Sequence, residues 1–311
     1  MDELVTLFGG GGFLGRYVAQ ELLRMGARVR IAERDPSDAV FLKPLAGLGQ
    51  TQFVYADVTK PETVQRAVQG ATIVINLVGI LKGRFDAVHV NGARNVAEAA
   101  SAIGAKALVQ LSAIGADPAS ASAYGRSKGE GETAVRAAFP SATIVRPSIL
   151  FGPEDNFVNR FAGMLMRSPV VPVVRGDAKF QPVWVVDVAR AVALAALDPS
   201  AFGGKTFELG GPQVLTMAAL NRWIAGAIGH TPRLAAVPDG IAGLMASLAG
   251  WLPGAPITKD QWLMLQHDNV VAPGAVGFDA FGIEPAPLAA VAPKWLVRYR
   301  RHGRFSLSAS A

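Results

Sequence analysis

Short apolar runs alternate with stretches of helical period along roughly the first half of the chain. Leu4 to Phe8 is a β-branched and apolar run that suits a buried strand, whereas Arg16 to Met25 repeats Val18, Leu22 and Met25 near 3.6-residue spacing. "RVRIAE", "TQFVYA", "TIVINLVG", "ALVQLS" and "TIVRP" read as further strands, with helices over 61–70, 86–104 and 122–139 between them. Such alternation predicts an α/β fold: a doubly wound parallel sheet joined by right-handed crossovers. After "RPSILFGPEDN" prolines and glycines become denser, and helical pieces stand alone at 156–167, 216–229 and 240–252. The pattern predicts one domain over 1–152 and a smaller, mainly helical one over 153–311, with 180–212 packing back on the first. No fixed-period repeat is visible, and only the "SLSASA" end is of low complexity.

The junction of the first strand and first helix, "VTLFGGGGFLGRYVAQELL", carries four consecutive glycines. Glycine in a regular element costs roughly 0.5–1 kcal/mol relative to alanine, so the cluster needs a tight turn or a close neighbour of the backbone. Gly9, Gly12 and Gly15 follow G-x-x-G-x-x-G spacing. One glycine makes the turn, one lets backbone amides approach a pyrophosphate, and one lets the helix lie close on the strand. The strand, turn and helix around them are the context that a dinucleotide site requires.

Other candidate residues fall at strand ends of this first domain. The second strand ends at Glu33 and Arg34: an acid there can accept the ribose hydroxyls of NAD, and an arginine can pair with the 2'-phosphate of NADP. Both are equally readable as surface charges. Asp57 in "VYADVTKP" suits a hydrogen bond from the adenine amino group or a cap for the helix starting near Pro61. Gly79 in "INLVGI" offers a small residue where the backbone would pass beneath a cofactor. In "SAYGRSKGEGE", Tyr124 and Lys128 are four apart on one helical face. A lysine ammonium there favours the phenolate, so the tyrosine could move a proton while the lysine holds a ribose.

Composition narrows the class. Half of the 311 residues are hydrophobic, enough for a sizeable core. There is no cysteine, hence no disulfide framework or thiolate metal site, and the four histidines, His89, His230, His267 and His302, lack ligand spacing. The "MDEL" start leads directly into a strand, so no signal peptide is expected, and no run reaches the roughly 18 apolar residues of a spanning helix. The formal charge of +6 gathers in "KWLVRYRRHGRF", at Lys294, Arg298, Arg300, Arg301 and Arg304, and no nucleic-acid recognition motif accompanies it. That tail reads as a solvated charge run or as a segment drawn to anionic lipid. "GIAGLMASLAGWL" sets Ile241, Leu244, Met245, Leu248 and Trp251 on one stripe, expected to be core or an interfacial or partner-docking helix.

Taken with Asn91 in "VNGARNV", Ser112 in "LVQLSA" and "RPSILFG", these residues resemble the extended or atypical short-chain dehydrogenase/reductases over most of the chain. "FGGGGFLGRYV", "VVDVARAV", "AFPSATIVRPSILFGPEDNFVNRFAGM" and "ITKDQW" are more closely similar to the NAD(P)H-binding accessory subunits of respiratory complex I, the alpha-subcomplex subunit nine family. The resemblance implies a bound nucleotide without independent turnover, NADP(H) in preference to NAD(H), and Arg34 reading the 2'-phosphate. It further implies cofactor contacts at Gly9, Gly12, Phe13, Leu14 and Gly15 on the first turn, and at Asp57, Val58, Leu77 and Gly79 on the next strand ends. Asn91, Ser112, Tyr124, Lys128 and Pro147 complete the expected set, with Tyr124, Lys128 and Ser112 in the catalytic positions. Active reductases commonly carry a carbonyl-orienting serine or threonine two residues past the Ser112 position; here it is Ile114, leaving Ser112, Ser120 and Ser122 as alternatives. The implied partners are peripheral-arm subunits of complex I near the membrane, on the cytoplasmic face of a bacterial inner membrane or the mitochondrial matrix face. The alternatives are a cytoplasmic oxidoreductase or epimerase using Tyr124 and Lys128, or a cofactor-sensing regulator.

Overall fold

The computed structural model describes residues 3–249, 257–301 and 303, the side chains of 247–249 excepted. The chain divides into two compact units: Met1–Pro147 with Val185–Leu209 and Ala272–Glu284, and Ser148–Trp184 with Gly210–Val271 and Pro285–Ala311.

The first unit runs β1 (Leu4–Phe8), α1 (Phe13–Arg24), β2 (Arg28–Glu33), β3 (Thr51–Tyr55), α2 (Pro61–Val68), β4 (Ile73–Asn76), α3 (Ala93–Ala102), β5 (Ala107–Leu111), α4 (Ala123–Ala138) and β6 (Thr143–Pro147). These strands and a later one, Thr206–Leu209, form a seven-stranded parallel sheet. The order from one edge is Thr206–Leu209, β6, β5, β4, β1, β2, β3. The order reverses at β1, where β4 lies on one side and β2 on the other. In such sheets ligands bind beyond the carboxyl ends of the strands at the reversal.

Helices cover both faces, α1 and the helix Val185–Leu197 packing together and α2, α3 and α4 packing as neighbours. Burial on both faces explains the mostly apolar runs of the central strands β1, β4 and β5, whereas β2 and β3 toward one edge carry polar and exposed positions. Phe8, Leu7, Leu22, Ile31, Ile75, Leu108 and Ile144 are fully buried. α1 begins at Phe13, three residues before the apolar periodicity becomes visible. The helix expected over 86–104 is two segments, a π-helical stretch Asp86–Gly92 followed by α3.

The second unit is mainly helical. Phe151, Leu165, Leu220, Ile224 and Leu296 lie in its core, where the Trp184 and Trp295 rings stack at 5.4 Å. Two sequence expectations change here. The helix Asp239–Ala249 buries its small residues, Ala242 and Ala246, and exposes Ile241, Leu244 and Met245 by 54, 61 and 43%. Close packing against Trp262, which a Cβ at Gly243 would approach to 3.4 Å, favours the small face inward. The Leu248 side chain and Trp251 lie outside the described residues. The basic tail is tied down in part. Trp295 and Leu296 are buried, Arg298 donates to the Asn159 side-chain oxygen at 2.7 Å and to the Pro153 carbonyl, and Arg300 donates to the Ala227 carbonyl. Arg304 and His302 fall outside the described residues.

Candidate functional site

The glycine turn closes beyond the carboxyl end of β1. Gly9 has φ +82, a left-handed conformation that side chains other than glycine resist, and its carbonyl accepts the Gly12 amide at 3.2 Å. A Cβ on Gly15 would run into that same Gly9 carbonyl, so glycine at this position lets α1 lie against the turn. Gly12 is the N-cap of α1. No side chain caps the helix there and no acid stands in its first turn, so its amides and positive dipole end suit a pyrophosphate. Phe13, Leu14 and Gly15 form that first turn, with Leu14 buried.

At the end of β2 the two charged residues separate. The Glu33 carboxylate turns onto the glycine turn and accepts the Gly11 amide at 2.6 Å; burial pushes its carboxyl above the usual range. Arg34 is exposed. Beyond β3, Asp57 accepts from the Thr59 amide and hydroxyl at 3.0 and 2.7 Å. Burial acts against its ionisation, yet the Thr59 bonds and nearby cations hold its carboxyl below the usual range. It closes the turn before α2 rather than capping the helix, whose N-cap is Lys60. Val58 is buried, and Gly92 lies so close that a Cβ there would come within 2.8 Å of it. Leu77 and Gly79 follow β4, where the buried Asn76 accepts the Val78 amide and donates to Gln110 at 2.9 Å. Pro147 ends β6 and accepts the Ile114 amide through its carbonyl.

Tyr124, Lys128, Gly79 and a residue that sequence reasoning passed over, His89, gather in one place. A Cβ on Gly79 would stand 3.3 Å from Lys128 Nζ and 3.7 Å from His89 Nε2. Lys128 is buried, with Nζ 3.3 Å from the Leu111 carbonyl and 5.9 Å from the Tyr124 ring centre. The His89 ring lies edge-to-face with Tyr124 and stacks on Phe85. Its Nε2 accepts the Ile80 amide at 3.0 Å, so the proton of the neutral ring resides on Nδ1, facing Ser127 Oγ at 2.9 Å. Burial, reinforced by the Lys128 ammonium, holds its pKa down to about 3. Burial lowers Lys128 to about 8, with Glu132 opposing the shift, and raises Tyr124 to about 12. Burial thus works against ionisation of the tyrosine, opposing the phenolate that its spacing from lysine favours.

The three candidate hydroxyls each have a hydrogen-bond partner. Ser112 is buried and donates to Glu132. Ser122 caps α4 by accepting the Gly125 amide, and Ser120 accepts the Ser122 amide. Ile114 is buried two residues past Ser112. Asn91 stays outside the cluster: it is exposed and accepts from Arg94 at 2.9 Å. Glu132 binds Arg146 in bidentate fashion at 2.8 and 2.7 Å, and Arg146 reaches Glu208 at 3.3 Å. Nothing in the sequence sets Glu132 apart from other helix glutamates, and a lone histidine in the 86–92 stretch gives no signal either.

Known proteins agree with this architecture. Residues 5–210 match the family described as "NAD dependent epimerase/dehydratase family". Over 307 residues the chain is 35% identical to the rat (Rattus norvegicus) mitochondrial NADH dehydrogenase [ubiquinone] 1 alpha subcomplex subunit 9, covering 96% of this chain and 81% of the relative. It is 32% identical to the mitochondrial NADH-ubiquinone oxidoreductase 40 kDa subunit of Neurospora crassa, covering 97 and 81%. The NADPH-dependent quinone oxidoreductase QOR2 of Escherichia coli, solved with NADPH, shares the fold at a TM-score of 0.77 and 20% identity, covering 94 and 99%. The chain belongs to the NAD dependent epimerase/dehydratase family. Its nearly full-length relatives include the complex I alpha-subcomplex subunit 9 proteins.

Proposed function

We propose that this chain is a nicotinamide-nucleotide-binding accessory or assembly subunit of respiratory complex I, in which the nucleotide serves mainly as a structural ligand. The observation carrying this reading is the pairing of a complete glycine cradle with a missing carbonyl-orienting hydroxyl: Ile114 fills the expected position and Ser112 is committed to Glu132. Similarity to alpha-subcomplex subunit 9 proteins along nearly the whole chain supports the partner assignment. Those relatives are mitochondrial. The matching location here is the matrix face, or the cytoplasmic face of a bacterial inner membrane. Among the described residues no helix is long and apolar enough to span a bilayer.

A nicotinamide nucleotide, when bound, supplies hydride chemistry. The chain's own residues hold it: the α1 amides the pyrophosphate, Arg34 the 2'-phosphate of NADP(H), Lys128 the nicotinamide ribose, and Tyr124 the edge of the nicotinamide pocket. Exposed Arg34, beside a Glu33 carboxylate already turned onto Gly11, favours NADP(H) over NAD(H).

The test is purification of the tagged chain from native membranes, followed by identification of the subunits and nucleotide that accompany it. Recovery with complex I subunits and a retained nicotinamide nucleotide is expected. A chain recovered free of them that oxidises NADPH with an aldehyde, ketone or quinone, and loses that activity in Tyr124→Phe, would instead be a working oxidoreductase.

A further inference from the structure

Gly79 lies between two backbone amides that are each held by a buried side chain. On one side the Val78 amide donates to the Asn76 side-chain oxygen at 3.1 Å, and Asn76 is itself fixed by Gln110. On the other the Ile80 amide donates to His89 Nε2 at 3.0 Å. Asn76 and His89 are buried, whereas Gly79 between their two partners is exposed. The segment that follows β4 is therefore open at Gly79 and anchored on either side of it.

The second anchor belongs to a chain of bonds that ends on α4. His89 comes from the π-helical stretch Asp86–Gly92, which lies so close to α4 that a Cβ on Gly131 would run into the His89 carbonyl. The Ile80 amide donates to Nε2, Nδ1–H donates to Ser127 Oγ at 2.9 Å, and the Ser127 hydroxyl donates to the Tyr124 carbonyl at 2.9 Å. A half-turn of the ring would put carbons in place of both nitrogens, so the two bonds fix its orientation. Phe85 stacks on the ring and Tyr124 meets it edge-to-face. Burial and the Lys128 ammonium keep the ring neutral near pH 7, so Nε2 retains the lone pair that the Ile80 amide needs. Gly79 is thereby set against the Tyr124–Lys128 face, where a Cβ would stand 3.3 Å from Lys128 Nζ and 3.7 Å from His89 Nε2.

We infer that His89 is a positioning residue for the nicotinamide half of the bound nucleotide: by accepting the Ile80 amide and donating to Ser127, it bolts the Gly79 backbone to the helix that carries Tyr124 and Lys128. This rests on the reading of Lys128 as the residue that holds the nicotinamide ribose. Loss of the bolt would loosen the nicotinamide end of the site and leave the adenosine end, built on the glycine turn and the ends of β2 and β3, as it was.

The experiment is calorimetric binding of NADPH and NADH, and of their adenosine halves 2',5'-ADP and ADP, to the parent chain, His89→Phe and His89→Gln. His89→Phe keeps a ring for Phe85 and Tyr124 to pack on but leaves the Ile80 amide without its acceptor. Dinucleotide affinity is expected to fall about tenfold in that variant, while affinity for the halves stays within about twofold of the parent. His89→Gln, whose side-chain oxygen reaches about as far as Nε2, should recover dinucleotide affinity to within about threefold of the parent. A general loosening of the fold would weaken whole nucleotides and halves alike, and that result overturns the inference, as does an unchanged dinucleotide affinity in His89→Phe. A glutamine variant no better than phenylalanine overturns it too, because the Ile80 bond would then not be what matters. Where His89→Phe does not fold, Ser127→Ala replaces it: a loss of about threefold confined to the dinucleotides is expected, and no loss, or an equal one in the halves, overturns the inference. A parent chain that binds neither dinucleotide sinks the proposed function itself; a parent that binds them, with variants that show no selective loss, sinks this inference alone.

Discussion

The Glu33 carboxylate accepts the Gly11 amide at 2.6 Å, while its neighbour Arg34 is exposed at the same strand end. The acid is occupied by the glycine turn, which on the proposed reading leaves the exposed cation to meet a 2'-phosphate. Arg34→Ala is therefore expected to weaken NADPH binding by about tenfold to a hundredfold, the range of a lost charge-assisted hydrogen bond, and to leave NADH binding nearly unchanged. Calorimetry with both nucleotides decides it: equal losses would remove Arg34 from cofactor choice.

Gly12 and Gly15 separate binding from folding. A Cβ on Gly15 collides with the Gly9 carbonyl, so Gly15→Ala should lower stability by about 1–3 kcal/mol with or without nucleotide. At Gly12 the same atom would stand 3.2 Å from that carbonyl, a lesser internal conflict, and on the proposed reading a side chain at this N-cap would crowd the pyrophosphate. Gly12→Val should abolish most of the stabilisation that NADPH provides, about 2.7 kcal/mol at one hundred times the dissociation constant. Thermal unfolding of both variants, with and without NADPH, measures the two effects. A Gly12→Val chain stabilised as much as the parent would move the phosphate site elsewhere.

Lys128 carries a stability cost with a defined pH window. Its pKa falls from 10.5 to about 8 on folding, with burial the principal cause. The folded state therefore disfavours the ammonium: the penalty is fully present below pH 8, shrinks as pH rises, and is gone above 10.5. Lys128→Met should stabilise the nucleotide-free chain on the order of 2 kcal/mol at pH 7, with the gain vanishing toward pH 10.5. The same substitution should weaken nucleotide binding. Urea unfolding at pH 7 and pH 9.5 gives the comparison, and a gain independent of pH would mean that packing, not charge, is responsible.

What sequence could reveal follows from the range of the forces involved. The Leu4–Phe8 strand, the glycine turn and α1 were legible because the turn chemistry and the flanking periodicities are adjacent in the chain. The Tyr124–Lys128 face was legible for the same reason. His89 was not, since its burial depends on Phe85 before it and on Tyr124 and Ser127 from α4. Nor was the fate of Ser112, whose partner Glu132 resembles any solvent-facing helix glutamate until Arg146 arrives from β6. Spacing reports the lysine beside Tyr124 but not the burial that raises the tyrosine's pKa and opposes a phenolate. In the helix Asp239–Ala249 the pattern placed Ile241, Leu244 and Met245 on one stripe, but could not show that the small face is the one packed.

The carboxyl-terminal basic residues divide into two groups that substitution can separate. Trp295 stacks on Trp184 and is buried with Leu296, so deletion from residue 294 would strip core side chains rather than remove a loose tail. Trp295→Ala should cost about 3–5 kcal/mol, as large aromatic truncations in cores do. Arg298→Ala should cost about 1–2 kcal/mol through its lost bonds to Asn159 and Pro153. Lys294 and Arg301 are exposed, so reversing them to glutamate should leave urea unfolding within about 0.5 kcal/mol of the parent. If these charges draw the chain to anionic lipid, the double reversal should lower its recovery on phosphatidylserine vesicles at low salt, and the difference should disappear as salt shortens the reach of surface charge to about 8 Å near 0.15 M. Sedimentation with vesicles measures this. Equal recovery of the parent and the reversed chain at low salt would show that Lys294 and Arg301 are solvated charges, leaving Arg298 and Arg300 their structural bonds alone.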